Sequence, residues 1–269
     1  MNGMVVGATK GQIPYVRVGE GAAIVVLNGG QGFVRQATPD RLVRDADRIA
    51  GLLPAGRSFV LLGYNPAPDP YLTIDAVVRA TAEAIEETAA GRQVDLVGIS
   101  YGGMVACRVA ASCPSLVRRM VLVSSAHRFS PQGEHHVRRQ IALLESDDMA
   151  GFAKAFTGLF RRPVLNWLIG LTITFRRRRV LSAMAPAELI VRYLKAMLSA
   201  VPPDLTTICK PVLLIGGSAD QFFGDGIMEK ATAGMPSAEL YSLDGETHTA
   251  PVERAQAFKV KIGDFLSRS

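Results

Sequence analysis

A serine hydroxyl is a poor nucleophile at neutral pH until a base stands within hydrogen-bond reach and an acid orients that base. Three residues of this chain have the types for such a relay: Ser100, His248 and Asp220. Ser100 lies in Gly98-Ile99-Ser100-Tyr101-Gly102, which fits G-x-S-x-G. It sits between the strand-like run Gln93–Ile99 and the helical run Ser100–Cys113, which Pro114 ends. A turn from strand straight into helix is tight enough to strain the serine backbone. Glycines two residues to either side are then needed, because a side chain there would meet the neighbouring chain. The same turn sets the hydroxyl at a helix N-terminus, where developing negative charge is favoured.

His248 is the base expected from position. It follows the last strand-like run, Glu239–Leu243, and precedes the last helical run, Val252–Leu266, so its loop opens at the C-terminal edge of the sheet with Ser100. His127 also follows a strand and is the alternative; His135 and His136 open a helical segment and read as solvated or lid residues. The acid expected is Asp220, in the loop after the strand Pro211–Ile215. Asp225 reads instead as the cap of the following helix, and Asp244 is only four residues from His248.

Acyl transfer also needs N–H donors facing the oxygen that gains charge, each lost donor costing about 3–4 kcal/mol. One is expected from Tyr101, directly after the nucleophile. The other is expected from Asn28-Gly29-Gly30-Gln31-Gly32-Phe33, with Gly30 first and Gln31 second. This glycine-rich loop has neither the G-x-G-x-x-G spacing nor the Lys-Ser/Thr of a phosphate-binding loop.

The elements that must position these residues alternate between strand and helix periods, the pattern of an α/β fold with a mainly parallel central sheet flanked by helices. A hairpin is expected over Val5–Val18, with Lys10-Gly11 near its turn. Strands are expected at Ala22–Leu27, Ser58–Leu62 and Arg118–Ser124, and helices at Pro39–Leu53, capped by Thr38, and Thr73–Ala89. From Ser130 to about Leu205 the chain reads as wholly helical. It therefore divides into a core, residues 1–129 and 206–269, and an inserted helical cap, residues 130–205.

At these residues the chain resembles the α/β-hydrolase superfamily, in its broad group of bacterial serine esterases, lipases and related acyl hydrolases. The resemblance rests on Leu27-Asn-Gly-Gly-Gln-Gly32, Val97-Gly-Ile-Ser-Tyr-Gly-Gly103, Pro211–Asp220 and His248-Thr-Ala-Pro-Val-Glu253. It implies the chain order nucleophile, acid, histidine, and a helical cap over the active site. The family usually has histidine before the oxyanion glycine, where this chain has Asn28. Members with aspartate at the nucleophile position, the haloalkane dehalogenases and epoxide hydrolases, are excluded by Ser100.

The chemistry so assembled is hydrolysis of a carboxylic ester with a moderately hydrophobic acyl group, through an acyl-enzyme. The same relay would serve a thioesterase or a carbon–carbon bond hydrolase, and the fold also hosts non-catalytic binding proteins. No metal or organic cofactor is expected. The substrate-lining side chains expected are Gln31 and Phe33 from the glycine-rich loop, and Phe156 and Trp167 from the cap.

The 269 residues suit one domain with an insertion, and the 48% hydrophobic content suffices for a core. Three scattered cysteines read as buried, reduced thiols in a cytoplasmic protein. From Met1–Lys10 no signal peptide is expected, and the longest apolar run, Pro163–Phe175, is shorter than the roughly 20 residues of a membrane span. The net charge is +6, and Ser130–Leu205 holds 11 Lys/Arg against 6 Asp/Glu. No aromatic residues interleave with these basic residues in the manner of a nucleic-acid surface, so nucleic acid is not an expected partner.

Arg161 and Arg162 precede the apolar run, and Arg176–Arg179 follow it. Three readings of this segment stand. It is a helix buried on the core with solvated ends, a cap that meets an anionic membrane, or an acyl tunnel whose arginines steer an anionic substrate.

Overall fold

The computed structural model describes residues 3–21 and 23–268; Met1, Asn2, Ala22 and Ser269, which the expected core and its third strand include, lie outside the described residues. Eight strands form one sheet: β1 (Met4–Ala8), β2 (Pro14–Val18), β3 (Ile24–Leu27), β4 (Phe59–Leu62), β5 (Val94–Ile99), β6 (Val117–Val123), β7 (Val212–Gly217) and β8 (Ala238–Leu243). Their spatial order is β1-β2-β4-β3-β5-β6-β7-β8. The β1–β2 hairpin is antiparallel and joins β4 antiparallel; every pairing from β4 to β8 is parallel.

The helices are α1 (Gln31–Val34), α2 (Pro39–Ala50), α3 (Ile74–Ala89), α4 (Tyr101–Ser112), α5 (Pro131–Glu145), α6 (Met149–Lys154), α7 (Pro163–Phe175), α8 (Arg177–Ser182), α9 (Ala187–Leu198), α10 (Ile227–Gly234), α11 (Ala250–Glu253) and α12 (Ala255–Ser267). Parallel strands are buried on both faces and read as unbroken apolar runs, so alternate residues feed two cores. Val25 and Leu27 join the core with α3, α4 and α10, whereas Ile24 and Val26 join the one with α2 and α12.

Local chemistry explains the boundaries. Thr38 caps α2 by accepting from Arg41 N–H, and Thr73 caps α3 by accepting from Ala76 N–H. The single last helix expected is two, parted at Arg254, whose φ of −127° leaves helical geometry. Asp225 does not cap α10. It has φ 55°, and Gly226, at φ 72°, occupies the cap position without a side-chain bond.

Between β6 and β7 lie α5 to α9. α5 and α9 pack together, and α9 reaches α1 beside the site. α7 meets the core by one edge only, not along its length as the first reading of the apolar run had it: Ile173 is its one buried residue, with Ile169 partly buried against the core. Of the three cysteines, none of them paired, Cys107 is buried but Cys209 is exposed.

Candidate active site

The β5–α4 turn shows the strain its sequence demands. Ser100 holds φ 50° and ψ −119°, outside the regions open to ordinary residues. A methyl group on Gly98 would overlap the Gly103 backbone, and one on Gly102 would overlap the Leu27 and Asn28 carbonyls. The Ser125 hydroxyl steadies the turn by donating to the Ser100 carbonyl at 2.7 Å.

From this turn Ser100 Oγ lies 3.0 Å from His248 Nε2. The other ring nitrogen, Nδ1, lies 2.9 Å from Asp220 Oδ2 and 3.0 Å from Oδ1. Asp220 is 2% exposed, and its Oδ1 also accepts the N–H groups of Phe222 and Phe223 at 2.8 and 3.0 Å. Those bonds fix the carboxylate plane, so the histidine meets an immobile acceptor. Phe222 stands edge-on to the imidazole at 4.8 Å between centroids, and Gln221 Oε1 accepts the His248 N–H at 3.1 Å. Residues distant in sequence thus meet in one hydrogen-bonded chain, with the geometry of a proton relay. Asp244 is not part of it: its carboxylate accepts from the Ser218 hydroxyl.

The rival histidine is elsewhere. His127 is 8% exposed and its Nδ1 has no partner among the described residues. Burial, then the charges of Arg128 and Arg108, push its pKa down to about 4. The folded protein therefore resists a proton that the unfolded chain accepts near pH 6.5. Stability should fall as pH drops from about 6.5 to about 4, by up to about 1.4 kcal/mol per pH unit from this residue. Urea unfolding across that range should show a shallower pH slope for His127→Gln than for the native chain.

Gly29 lies against the Ser100 turn, and Gly30 beside the Phe33 ring. A methyl group on Gly29 would lie 3.4 Å from Ser100 Cβ. Tyr101 is the first residue of α4, so its N–H has no carbonyl a turn earlier to bond. The Asn28 backbone braces the loop: its N–H donates to the Leu62 carbonyl, and its carbonyl accepts from the Tyr64 hydroxyl at 2.6 Å. Its buried side-chain Nδ2 has no partner among the described residues, so the loop is braced through the Asn28 backbone.

Beneath this loop four aromatic rings interlock: Phe33, Tyr64, Tyr101 and Tyr193, the last from α9. Each hydroxyl donates to a carbonyl, Tyr64 to Asn28, Tyr101 to Tyr193 and Tyr193 to Asn65. Burial above all, with the neighbouring phenols, raises Tyr64 and Tyr101 well above the ordinary phenol range, so both stay protonated. Sequence periodicity carries no trace of this cluster.

The side chains expected to line the substrate site are not brought together. Phe33 is sealed in the aromatic cluster at 2% exposure, and Gln31 Oε1 accepts from Arg41. Phe156 packs edge-on against Phe152, and Trp167 stands on the outer face of α7. A cleft of about 480 Å³ between α5 and α6 reaches Gln221 and Phe222, both in contact with His248. A second, of about 590 Å³ between Tyr71 and α9, is lined by no residue of the relay.

A latch ties the histidine loop to the segment before α7. The Leu159 carbonyl accepts from the Thr247 hydroxyl at 2.7 Å, and the Arg161 N–H donates to Glu253. The buried Glu246 Oε1 accepts from Arg161 Nη1 at 2.6 Å and from Arg254 Nε at 2.7 Å. Burial pushes the Glu246 carboxyl up, but the bonds from Arg254 and Arg161 more than offset this and hold it below its usual value of 4.5. The stability it contributes is present above pH 4.5 and is lost as pH falls through its lower folded value. Replacing both Arg161 and Arg254 by alanine strands a buried carboxylate and should cost about 2–3 kcal/mol, the half-exposed guanidinium groups keeping it near the low end for such losses. Adding Glu246→Gln should return most of that in a urea unfolding series. Of these residues, the sequence reading named Glu253 within the family resemblance and Arg161 as a flank of the apolar run, without linking either to Glu246.

Among the described residues no helix is long and apolar enough to cross a membrane, and no cluster of three metal-ligating side chains occurs.

Known proteins share this arrangement of chain and fold. MGS-M2, an alpha/beta hydrolase enzyme from a Medee basin deep-sea metagenome library, superposes with a TM-score of 0.77 at 16% identity over 98% of each chain. In sequence, a proposed carbamate hydrolase, RutD, of Stutzerimonas stutzeri is 23% identical over 77% of this chain and 79% of its own. A 2-hydroxy-6-oxononadienedioate/2-hydroxy-6-oxononatrienedioate hydrolase of Dechloromonas aromatica is 25% identical over 95% of this chain and 91% of its own. The sequence profile of the Alpha/beta hydrolase family matches residues 24–259. With that match over most of its length, the chain belongs to the Alpha/beta hydrolase family.

Proposed function

We propose that this hydrolase cleaves carboxylic esters by a serine acyl-enzyme mechanism. The observation that carries the reading is the unbroken contact Ser100 Oγ–His248 Nε2–His248 Nδ1–Asp220 at 3.0 and 2.9 Å. Ser100 attacks the carbonyl carbon as His248 takes its proton. The Gly30 and Tyr101 N–H groups hold the oxyanion, and the imidazolium, steadied by Asp220, protonates the leaving alcohol. A water activated by His248 then frees the acid and restores Ser100. Residues 130–205 act as a cap that sets acyl selectivity, a role supported by the latch to the histidine loop and by Tyr193 in the aromatic cluster. The enzyme works in the cytoplasm, in keeping with three cysteines that stay as free thiols.

A second reading is carbon–carbon bond hydrolysis by the same relay, favoured by the Dechloromonas aromatica relative named for that class of dienedioate and trienedioate substrate. Steady-state turnover of p-nitrophenyl esters of graded chain length, acyl-CoA thioesters and vinylogous diketones separates them. The ester reading requires the highest kcat/KM on an ester; turnover of the diketone alone would replace it with the second reading.

A further inference from the structure

The α7 segment presents a surface that the relay does not use. Val164, Trp167, Leu168, Leu171 and Phe175 recur at helical spacing on one side of α7, opposite the buried Ile173. Four of them are strongly exposed: Val164 65%, Trp167 63%, Leu168 46% and Phe175 81%. Leaving such a row in water forgoes the burial that normally fixes an amphipathic helix. Its polar side chains are already spent. The Thr172 and Thr174 hydroxyls donate to the carbonyls of Leu168 and Gly170, and the Asn166 amide closes on the Phe160 backbone. The row therefore offers apolar area and almost no free hydrogen-bonding groups.

Charge decides what covers it. From Arg161 to Arg179 the segment holds six arginines and no acidic residue. Only Arg161 has an ion-pair partner among the described residues, Glu246. Arg162 at one end and Arg176–Arg179 at the other stay exposed. An apolar row tipped at both ends by unpaired guanidinium groups matches an anionic lipid surface: rings and aliphatic chains enter the acyl boundary while the arginines meet phosphates. The 13 residues of α7 are too few to cross a bilayer and enough to lie along one. We infer that α7 and its flanking arginines dock the enzyme on anionic phospholipid membranes. Because Arg161 also bonds Glu246, two residues before His248, the docked face is continuous with the rim of the relay.

The chain contains one tryptophan, Trp167, so its fluorescence reports this face alone. The full chain is titrated with phosphatidylcholine vesicles and with vesicles carrying about one third phosphatidylglycerol, following emission and co-sedimentation. Anionic vesicles should shift Trp167 emission to the blue and carry the protein down, neutral ones should do neither, and about 1 M salt should reverse both. Converting Arg176, Arg177, Arg178 and Arg179 together to glutamine should weaken partitioning about 100-fold or more. Those side chains are solvent-exposed, so unchanged circular dichroism and ester turnover in free solution mark the variant as folded. Three outcomes overturn the inference: no binding to anionic vesicles, binding with Trp167 emission unmoved, or a blue shift that grows with protein concentration without lipid. The last would assign the face to a second copy of the chain.

Discussion

Ser100→Ala should lower kcat on the best ester substrate by on the order of 10⁵–10⁶-fold and leave the fold intact. The size follows from the relay acting as a unit, so that losing the nucleophile forfeits nearly all its catalysis and leaves only what the oxyanion donors and binding supply. The fold should survive because alanine keeps the β-carbon that packs by Gly29, and among the described residues the Ser100 hydroxyl bonds only to His248. Backbone strain at φ 50° is the same for either residue. Steady-state kinetics with a thermal melt check both halves. A loss smaller than about 100-fold would mean another group attacks the carbonyl.

Asp220→Asn should be nearly as damaging, about 10⁴-fold in kcat, for a different reason. Asp220 Oδ1 accepts the Phe222 and Phe223 N–H groups, and an asparagine oxygen can take over both. Its amide nitrogen then faces His248 Nδ1 with hydrogens of its own. The imidazole must turn its lone pair to Nδ1 and carry the proton on Nε2, where it can no longer receive one from Ser100. The loss should fall on kcat with KM changed little and the unfolding midpoint nearly unmoved. Asp244→Asn is the control: that carboxylate accepts from Ser218 and should be dispensable. Activity kept by Asp220→Asn and lost by Asp244→Asn would reassign the acid.

Much of this site was legible because its signals are local. The strained elbow follows from Gly98 and Gly102 around Ser100, and the structure shows which backbones those glycines spare. Strand runs such as Val212–Gly217 are buried on both faces and therefore unbroken, so they stand out without tertiary information. Asp225 misled because aspartate before a helix usually caps it, whereas here a glycine at positive φ turns the chain. What the sequence leaves silent depends on contacts between distant segments. Tyr64 and Tyr193 meet Phe33 only after α9 folds over the glycine-rich loop. Glu246 and Arg161 are 85 residues apart, and no periodicity pairs them. The apolar run of α7 has the composition of a buried helix. Its exposure is decided by how α6 to α8 leave the core, which composition does not encode.

The most direct test is the site of covalent capture. The native chain and its His248→Gln variant are treated with a fluorophosphonate, weighed intact and mapped by peptide mass. A single adduct on Ser100, formed quickly in the native chain and at least about 1,000-fold more slowly without the imidazole, is the result this mechanism predicts. An adduct on another residue, or equal rates in the two proteins, would contradict it.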